Sequence, residues 1–309
     1  GMAVKGDFDP NHPFEIADQE EAKRIESLPE EEKSKAKSEA LQKQWRNKAI
    51  SDTYYPGSVF KMVTASMGFE EGVVDENTQF TCTGGMKPYE GASYVRCHKT
   101  SGHGTQTFLQ ALCNSCNPAF MMLGQKIGAE KYYEHYCGFG FSEKTGIDLP
   151  GEATDIFFSE DGTMGPMDLA VASFGQNFSI TPIQMLTAAS AIANGGKVVQ
   201  PHLVKQIIDK DGNIIESIGT TVKRNAISED TARRVCAMLQ TNATIGSGKN
   251  GYVAGYRVGG KTGTSEKIGS SGEGGMDYIA SYCGFAPADN AKVAMLVFCD
   301  TPKGDSYYG

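Results

Sequence analysis

An α+β fold is predicted for this chain from three observations. Helical periodicities occupy the middle of the sequence, two strands joined by a short turn close it, and no βαβ alternation runs between them. The closing strands are read over Tyr278–Ala286 and Lys292–Asp300, around the turn Pro287-Ala288-Asp289-Asn290-Ala291. Strands gathered at one end, with helices elsewhere, argue against an alternating parallel sheet.

The elements follow in order. Residues 18–48 are dense in charge and almost free of glycine, and Pro29 divides them into two helical segments. Leu41 and Trp45, four apart, give the second segment one narrow apolar stripe on a solvated helix. The run Tyr54-Tyr55-Pro56-Gly57 is turn chemistry, and a mostly buried helix is expected from about Ser58, because Phe60, Val63 and Met67 recur at helical spacing. Residues 81–104 read as loop, with glycine at 84, 85, 91, 102 and 104. Helical texture returns from Thr107 to about Lys126. Thr181-Pro182-Ile183-Gln184 is a capping box that opens an alanine-rich helix, which Gly195-Gly196 closes. Ser228 caps a further helix with Glu229 and Asp230 in its first turn, where the macrodipole favours acids. Tyr256-Arg257-Val258 then leads into a strand carrying Lys261-Thr262-Gly263-Thr264.

The composition narrows the function. A length of 309 residues suits one large or two small domains and a sizeable core. The net charge of −8 argues against a nucleic-acid partner, which calls for a basic face. No apolar run approaches the roughly 18 residues needed to span a bilayer, and no signal peptide is visible. The 37 glycines point to many turns and close backbone approaches, as around a cleft. Eight cysteines are too dilute for a disulfide scaffold, and only Cys113 and Cys116 form a CxxC. The opening Gly1-Met2 reads as an expression scar. With the abrupt ending Tyr307-Tyr308-Gly309, it gives the expectation of a piece of a longer protein.

Three short motifs carry the chemistry: Ser58-Val59-Phe60-Lys61, Ser115-Cys116-Asn117 and Lys261-Thr262-Gly263. Each alone is weak, but their order and contexts together point to acyl transfer through a serine ester. A serine hydroxyl is a poor nucleophile at neutral pH and needs a base within hydrogen-bond reach. Ser58 at a helix start and Lys61 three residues on share one face. Lys61 serves as that base if burial keeps it partly neutral, and the helix start offers N–H groups where an oxyanion would develop.

With these motifs the sequence resembles the penicillin-binding transpeptidases, most closely the monofunctional class B kind. The likeness extends to Tyr54–Lys61, Gly102-His103-Gly104, Phe174-Gly175-Gln176 with Thr181–Gln184, Gly284-Phe285-Ala286-Pro287 and Asp7-Phe8-Asp9-Pro10-Asn11. It implies one transpeptidase domain over residues 1–309, with an antiparallel sheet sandwiched by helices and an all-helical part contributing Ser58 and Ser115. By the same resemblance Ser58 is the nucleophile, Lys61 its activator, and Ser115 the proton relay to the leaving amine. Asn117 would hold an amide of the peptide and Lys261 would supply positive charge. Thr262 and Thr264, beside Gly263, would bind the substrate carboxylate, and the N–H groups of Ser58 and Thr264 would form the oxyanion hole. The implied substrates are peptidoglycan stem peptides, with β-lactams as acylating ligands and no cofactor. The resemblance also implies a membrane anchor and pedestal region before the domain, a further helix after the last strand, cell-wall synthesis partners and an extracytoplasmic location.

Rival readings remain at this point. A serine β-lactamase shares all three motifs, though the stretch from Ser115 to Lys261 is roomier than its compact pattern. A dedicated deacylating carboxylate is hard to place, since Glu152, the nearest candidate, reads better as a turn or cap residue. A β-lactam sensor domain is usually smaller. Cys82, Cys97-His98, His103 and Cys113-x-x-Cys116 suggest zinc, but their spacing fits no compact finger, so no metal is expected. His12, His135 and His202 show no partner pattern, and Met121, Met122, Tyr132, Tyr133 and Tyr136 read as packing. Cys97 and Cys116, both near the second motif by the resemblance, form a candidate redox pair whose disulfide would pin the loop beside Ser115. Cys113 is a second partner, poorly oriented on an intact helix. The competing reading makes Cys97 and Cys116 buried fillers.

Overall fold

A computed structural model describes residues 1–4, 8–158, 162–272 and 275–302. Asp7 of the Asp7–Asn11 run and the final Tyr307-Tyr308-Gly309 lie outside the described residues.

The first helices form where capping chemistry puts them. Asp18 accepts from the N–H groups of Glu20 and Glu21 to open α1 (Gln19–Glu26), and Pro29 separates it from α2 (Glu30–Trp45). Leu41 is buried, while Trp45 packs edge-on against Phe14 and donates from Nε1 to Pro13 O. After the short α3 (Lys48–Ser51), the helix expected from Ser58 begins as a 3₁₀ turn, Gly57–Phe60, and continues as α4 (Lys61–Glu70). Tight turns of this type are common at helix starts. All residues from Lys61 to Phe69 are buried, so α4 is the central helix of the molecule.

The stretch read as loop over 81–104 is instead stitched by two small ladders. Strands β1 (Gln79–Cys82) and β4 (Gly104–Thr107) pair with Cys82 opposite Gly104, and between them β2 (Gly85–Met86) pairs with β3 (Val95–Arg96). The helical stretch from Thr107 divides into α5 (Phe108–Cys113) and α6 (Asn117–Ile127). Ser115, at the break, has φ 51°, and Pro118 enters the first turn of α6.

Next come α7 (Ala129–Gly138), α8 (Pro166–Ala172) and α9 (Pro182–Ala193), the last opened by the Thr181/Gln184 capping box. Strand β5 (Lys197–Val199) pairs with β8 (Val222–Asn225), and β6 (Gln206–Ile208) with β7 (Ile214–Ser217). Ser228 caps α10 (Glu229–Ile245) by accepting from Thr231 N–H.

The sequence closes on β9 (Gly259–Gly272), β10 (Gly275–Ala286) and β11 (Val293–Asp300), an antiparallel sheet in the order β11-β10-β9. Ser281 stands opposite both Gly263 and Phe298, which fixes the register. Helices α9 and α10 pack against this sheet. Ala294, Leu296 and Phe298 of β11 face the core, while Val293, Met295 and Val297 on its other face are exposed. The core joins sheet and helices around a ring cluster in which Phe60 meets Phe178 edge-on at 4.8 Å and buried Tyr132 donates to Ala172 O. Met121 and Tyr136 are fully buried there. Helices packed with an antiparallel sheet around the main core give an α+β fold, and Ile50, Ile147 and Ile183 form a smaller second cluster.

Candidate active site

The Ser58 turn is held from two sides by backbone. Gly57 has φ +57°, and its N–H donates to Gly175 O at 2.8 Å. A Cβ on Gly175, which has φ +85°, would lie 2.0 Å from Gly57 O, so only glycine permits this approach. Strand β9 passes on the other side: a Cβ on Gly57 would lie 2.9 Å from Thr264 O, and one on Gly263 would lie 3.0 Å from Pro56 O. The Lys261–Thr264 run is thereby set against the turn that carries Ser58.

Lys61 is the hub of the site. Its Nζ lies 3.0 Å from Ser58 Oγ, 2.7 Å from Ser115 O, 3.1 Å from Ser115 Oγ and 2.7 Å from Asn117 Oδ1. One amine thus ties the first motif to the second across the helix break. Ser115 reaches it through a left-handed conformation that is costly for a residue with a side chain, on the order of 1–3 kcal/mol. Burial pushes the Lys61 amine down to about 7, opposed by the nearby thiols of Cys116 and Cys97. Lys261 is also fully buried, and burial together with the charge of Lys61 drives it well below the usual lysine range.

Lys261 Nζ donates to Ser247 Oγ at 3.1 Å and to Thr262 O at 3.0 Å, and Ser247 Oγ in turn donates to Asn242 Oδ1. Asn242 Nδ2 donates to Gly260 O, which ties α10 to β9. Thr262 shares a strand face with Thr264, and its hydroxyl reaches Ser247 O at 3.5 Å. Sequence reasoning passed over Ser247 and Asn242. The signal for Asn242 was its place on the apolar face of α10, while Ser247, in Gly246-Ser247-Gly248, carried none.

This arrangement has a definite chemical capacity. A neutral Lys61 presents a lone pair 3.0 Å from the Ser58 hydroxyl, within proton-transfer reach. Ser115 Oγ, on the same nitrogen, offers a second path for that proton. Among the described residues, no carboxylate hydrogen-bonds Ser58, Lys61 or Ser115. Glu152, the carboxylate considered for deacylation, accepts instead from Thr145 N, Thr145 Oγ1 and Gly146 N.

The profile of the penicillin binding protein transpeptidase domain matches residues 7–309. The chain belongs to this family. Among curated relatives of this transpeptidase domain, stage V sporulation protein D of Bacillus subtilis is 40% identical over 265 residues, covering 85% of this chain and 41% of its own. Peptidoglycan D,D-transpeptidase FtsI of Buchnera aphidicola is 28% identical, covering 87% of this chain and 44% of its own. The D,D-transpeptidase domain of a peptidoglycan glycosyltransferase from Eggerthella lenta superposes with a TM-score of 0.77 at 28% identity, covering 88% of this chain and 67% of that one. Penicillin binding protein 3 of Mycobacterium tuberculosis, in complex with aztreonam, gives 0.75 at 30% identity, covering 85% and 60%. The chain spans about two fifths of the length of the curated relatives it matches.

Beside the Lys61 hub lies a second cluster. The sulfurs of Cys82, Cys97 and Cys116 and a ring nitrogen of His103 all fall within 4.8 Å of one another. The expected pair Cys97 and Cys116 is therefore brought together, as free thiols and with two further partners. Cys113 lies outside the group, its carbonyl accepting from Ser247 N–H. His135, read as lacking a partner, bonds Glu71 Oε1 through Nε2 at 2.8 Å.

Proposed function

We propose that this chain is the catalytic domain of a peptidoglycan D,D-transpeptidase that works through a serine acyl-enzyme. The observation that carries the reading is the buried Lys61 amine joining Ser58, Ser115 and Asn117 in one hydrogen-bonded set. In this reading Lys61 takes the Ser58 proton as Oγ attacks the carbonyl of a D-Ala-D-Ala stem peptide, and the backbone N–H groups of Ser58 and Thr264 hold the oxyanion. The proton passes through Ser115 to the departing D-alanine amine, and an acceptor amine then resolves the ester. Asn117 holds a substrate amide, while Lys261 attracts its carboxylate and Thr262 and Thr264 bind it beside Gly263.

The names of the relatives support this substrate, and the aztreonam and ampicillin complexes of the Mycobacterium tuberculosis protein support β-lactams as acylating ligands. The engagement of Glu152 in its own loop supports transfer over β-lactam hydrolysis. No helix among the described residues is long and apolar enough to cross a membrane. The greater length of the relatives supports reading residues 1–309 as one domain of a longer protein. For that protein we propose a membrane anchor, a place outside the cytoplasmic membrane and cell-wall synthesis partners. The test is release of D-alanine from a D-Ala-D-Ala-terminated peptide in the presence of an amine acceptor. Wild type forms the cross-linked product and Ser58→Ala does not; steady turnover of penicillin by the wild type would overturn the reading in favour of a β-lactamase.

A further inference from the structure

We propose that Cys82, Cys97, His103 and Cys116 form a closed, four-coordinate zinc site that pins residues 83–103 to the turn carrying Ser115 and Asn117. The donor set is three thiols and one imidazole, a combination that selects zinc among the common divalent ions. Around a tetrahedral zinc, with Zn–S about 2.3 Å and Zn–N about 2.0 Å, donor atoms stand roughly 3.5–3.8 Å apart. Cys97 Sγ and His103 Nδ1 are 3.6 Å apart, and all four donor atoms lie within 4.8 Å of one another, so small side-chain adjustments close the shell. Four protein ligands leave no open position, which makes the role structural.

The backbone is arranged for this purpose. Each ligand comes from a different place: Cys82 ends β1, Cys97 follows β3, His103 precedes β4, and Cys116 is the N-cap of α6. Glycines draw the loops together: a Cβ on Gly84 would lie 2.0 Å from Thr100 O, and one on Gly102 would lie 2.4 Å from Cys82 O.

Packing shows why a staple is needed. From 83 to 103 the regular structure is two strands of two residues each, and Tyr89 and Tyr94 point outward. The buried apolar side chains there are few, Ala92 and Cys97 among them. A segment with so small a core needs a crosslink to stay in place. Cys82, Cys97 and Cys116 are essentially fully buried, so the crosslink is sheltered from solvent. Because Cys116 lies between Ser115 and Asn117, both bonded to Lys61, a metal bond there also holds the strained Ser115 backbone.

Binding is not a redox step. Each of the three thiols releases a proton to solvent, His103 ligates as neutral imidazole, and Zn²⁺ keeps its charge.

The experiment is metal analysis of the whole reduced chain after passage over a metal-chelating resin and titration with Zn²⁺. About one zinc per chain should be retained. Cobalt put in its place should show the visible absorption of a tetrahedral thiolate site. Cys82→Ser with Cys97→Ser should retain less than about a tenth as much zinc. Should that variant fail to fold, the wild type decides by thiol titration. Three cysteines should be shielded from a thiol reagent in the zinc-loaded chain, and should become reactive in step with zinc release when a chelator is added. Failure to retain stoichiometric zinc would overturn the proposal, as would a Cys97–Cys116 disulfide in the zinc-treated chain. These readouts do not depend on acylation, so they fail or succeed separately from the transpeptidase reading.

Discussion

Lys61 Nζ lies 2.7 Å from Asn117 Oδ1, so the start of the central helix and the start of α6 share one hydrogen bond at the heart of the site. The same nitrogen faces Ser58 Oγ at 3.0 Å. Replacing it removes the proposed base and the bridge together. Lys61→Ala is expected to slow acylation by penicillin by about 10²–10⁴-fold, with a far-ultraviolet circular dichroism spectrum like that of the wild type. Lys61→Arg should not restore the rate, because a guanidinium does not give up its proton. Near-normal acylation of either variant would remove Lys61 from the mechanism.

The pH dependence follows from burial. The reactive form is the neutral amine, and burial pushes Lys61 down to about 7. Its neutral fraction therefore grows as pH rises towards that value and levels off above it. The acylation rate constant should rise about tenfold per pH unit below the midpoint and flatten on the alkaline side. Stopped acylation time courses across this range provide the check, and a rate independent of pH contradicts the assignment.

Gly175 supports Ser58 without touching substrate. A side chain there would meet Gly57 O at 2.0 Å and must displace the Ser58 turn. Displacement of a reacting group by about 1 Å costs on the order of 10²-fold, and that loss is expected of Gly175→Ala in acylation. The comparison with thermal unfolding shows whether the turn moves or the whole domain loosens.

Ser247 positions Lys261 by accepting from its amine. Loss of one intramolecular hydrogen bond costs about 0.5–1.5 kcal/mol, so Ser247→Ala should lower acylation efficiency about 2- to 10-fold. Thr is the conservative variant that keeps the hydroxyl, and Ser247→Thr should recover most of the rate. Equal losses in both variants would point to a packing role.

Much of this was legible in the sequence because it is local. Ser58 and Lys61 lie three apart at a helix start, and the capping chemistry at Thr181 and Ser228 marks two further helix starts. The closing hairpin also stands where the two strands and the turn Pro287–Ala291 between them are read. The break between α5 and α6 was not legible, since neither glycine nor proline precedes Ser115 to announce its left-handed backbone. Pro118, two residues into the next helix, was the sole local mark. The cysteine and histidine cluster escaped spacing rules for a related reason. Its members come from four elements that meet only after β1 pairs with β4 and α6 docks on the central helix.

The most direct test of the account is to acylate the chain with a penicillin, digest it, and locate the adduct by mass spectrometry. The account predicts one stable adduct, on the peptide carrying Ser58, that is absent from Ser58→Ala. An adduct on another residue, or one that persists in Ser58→Ala, would contradict it.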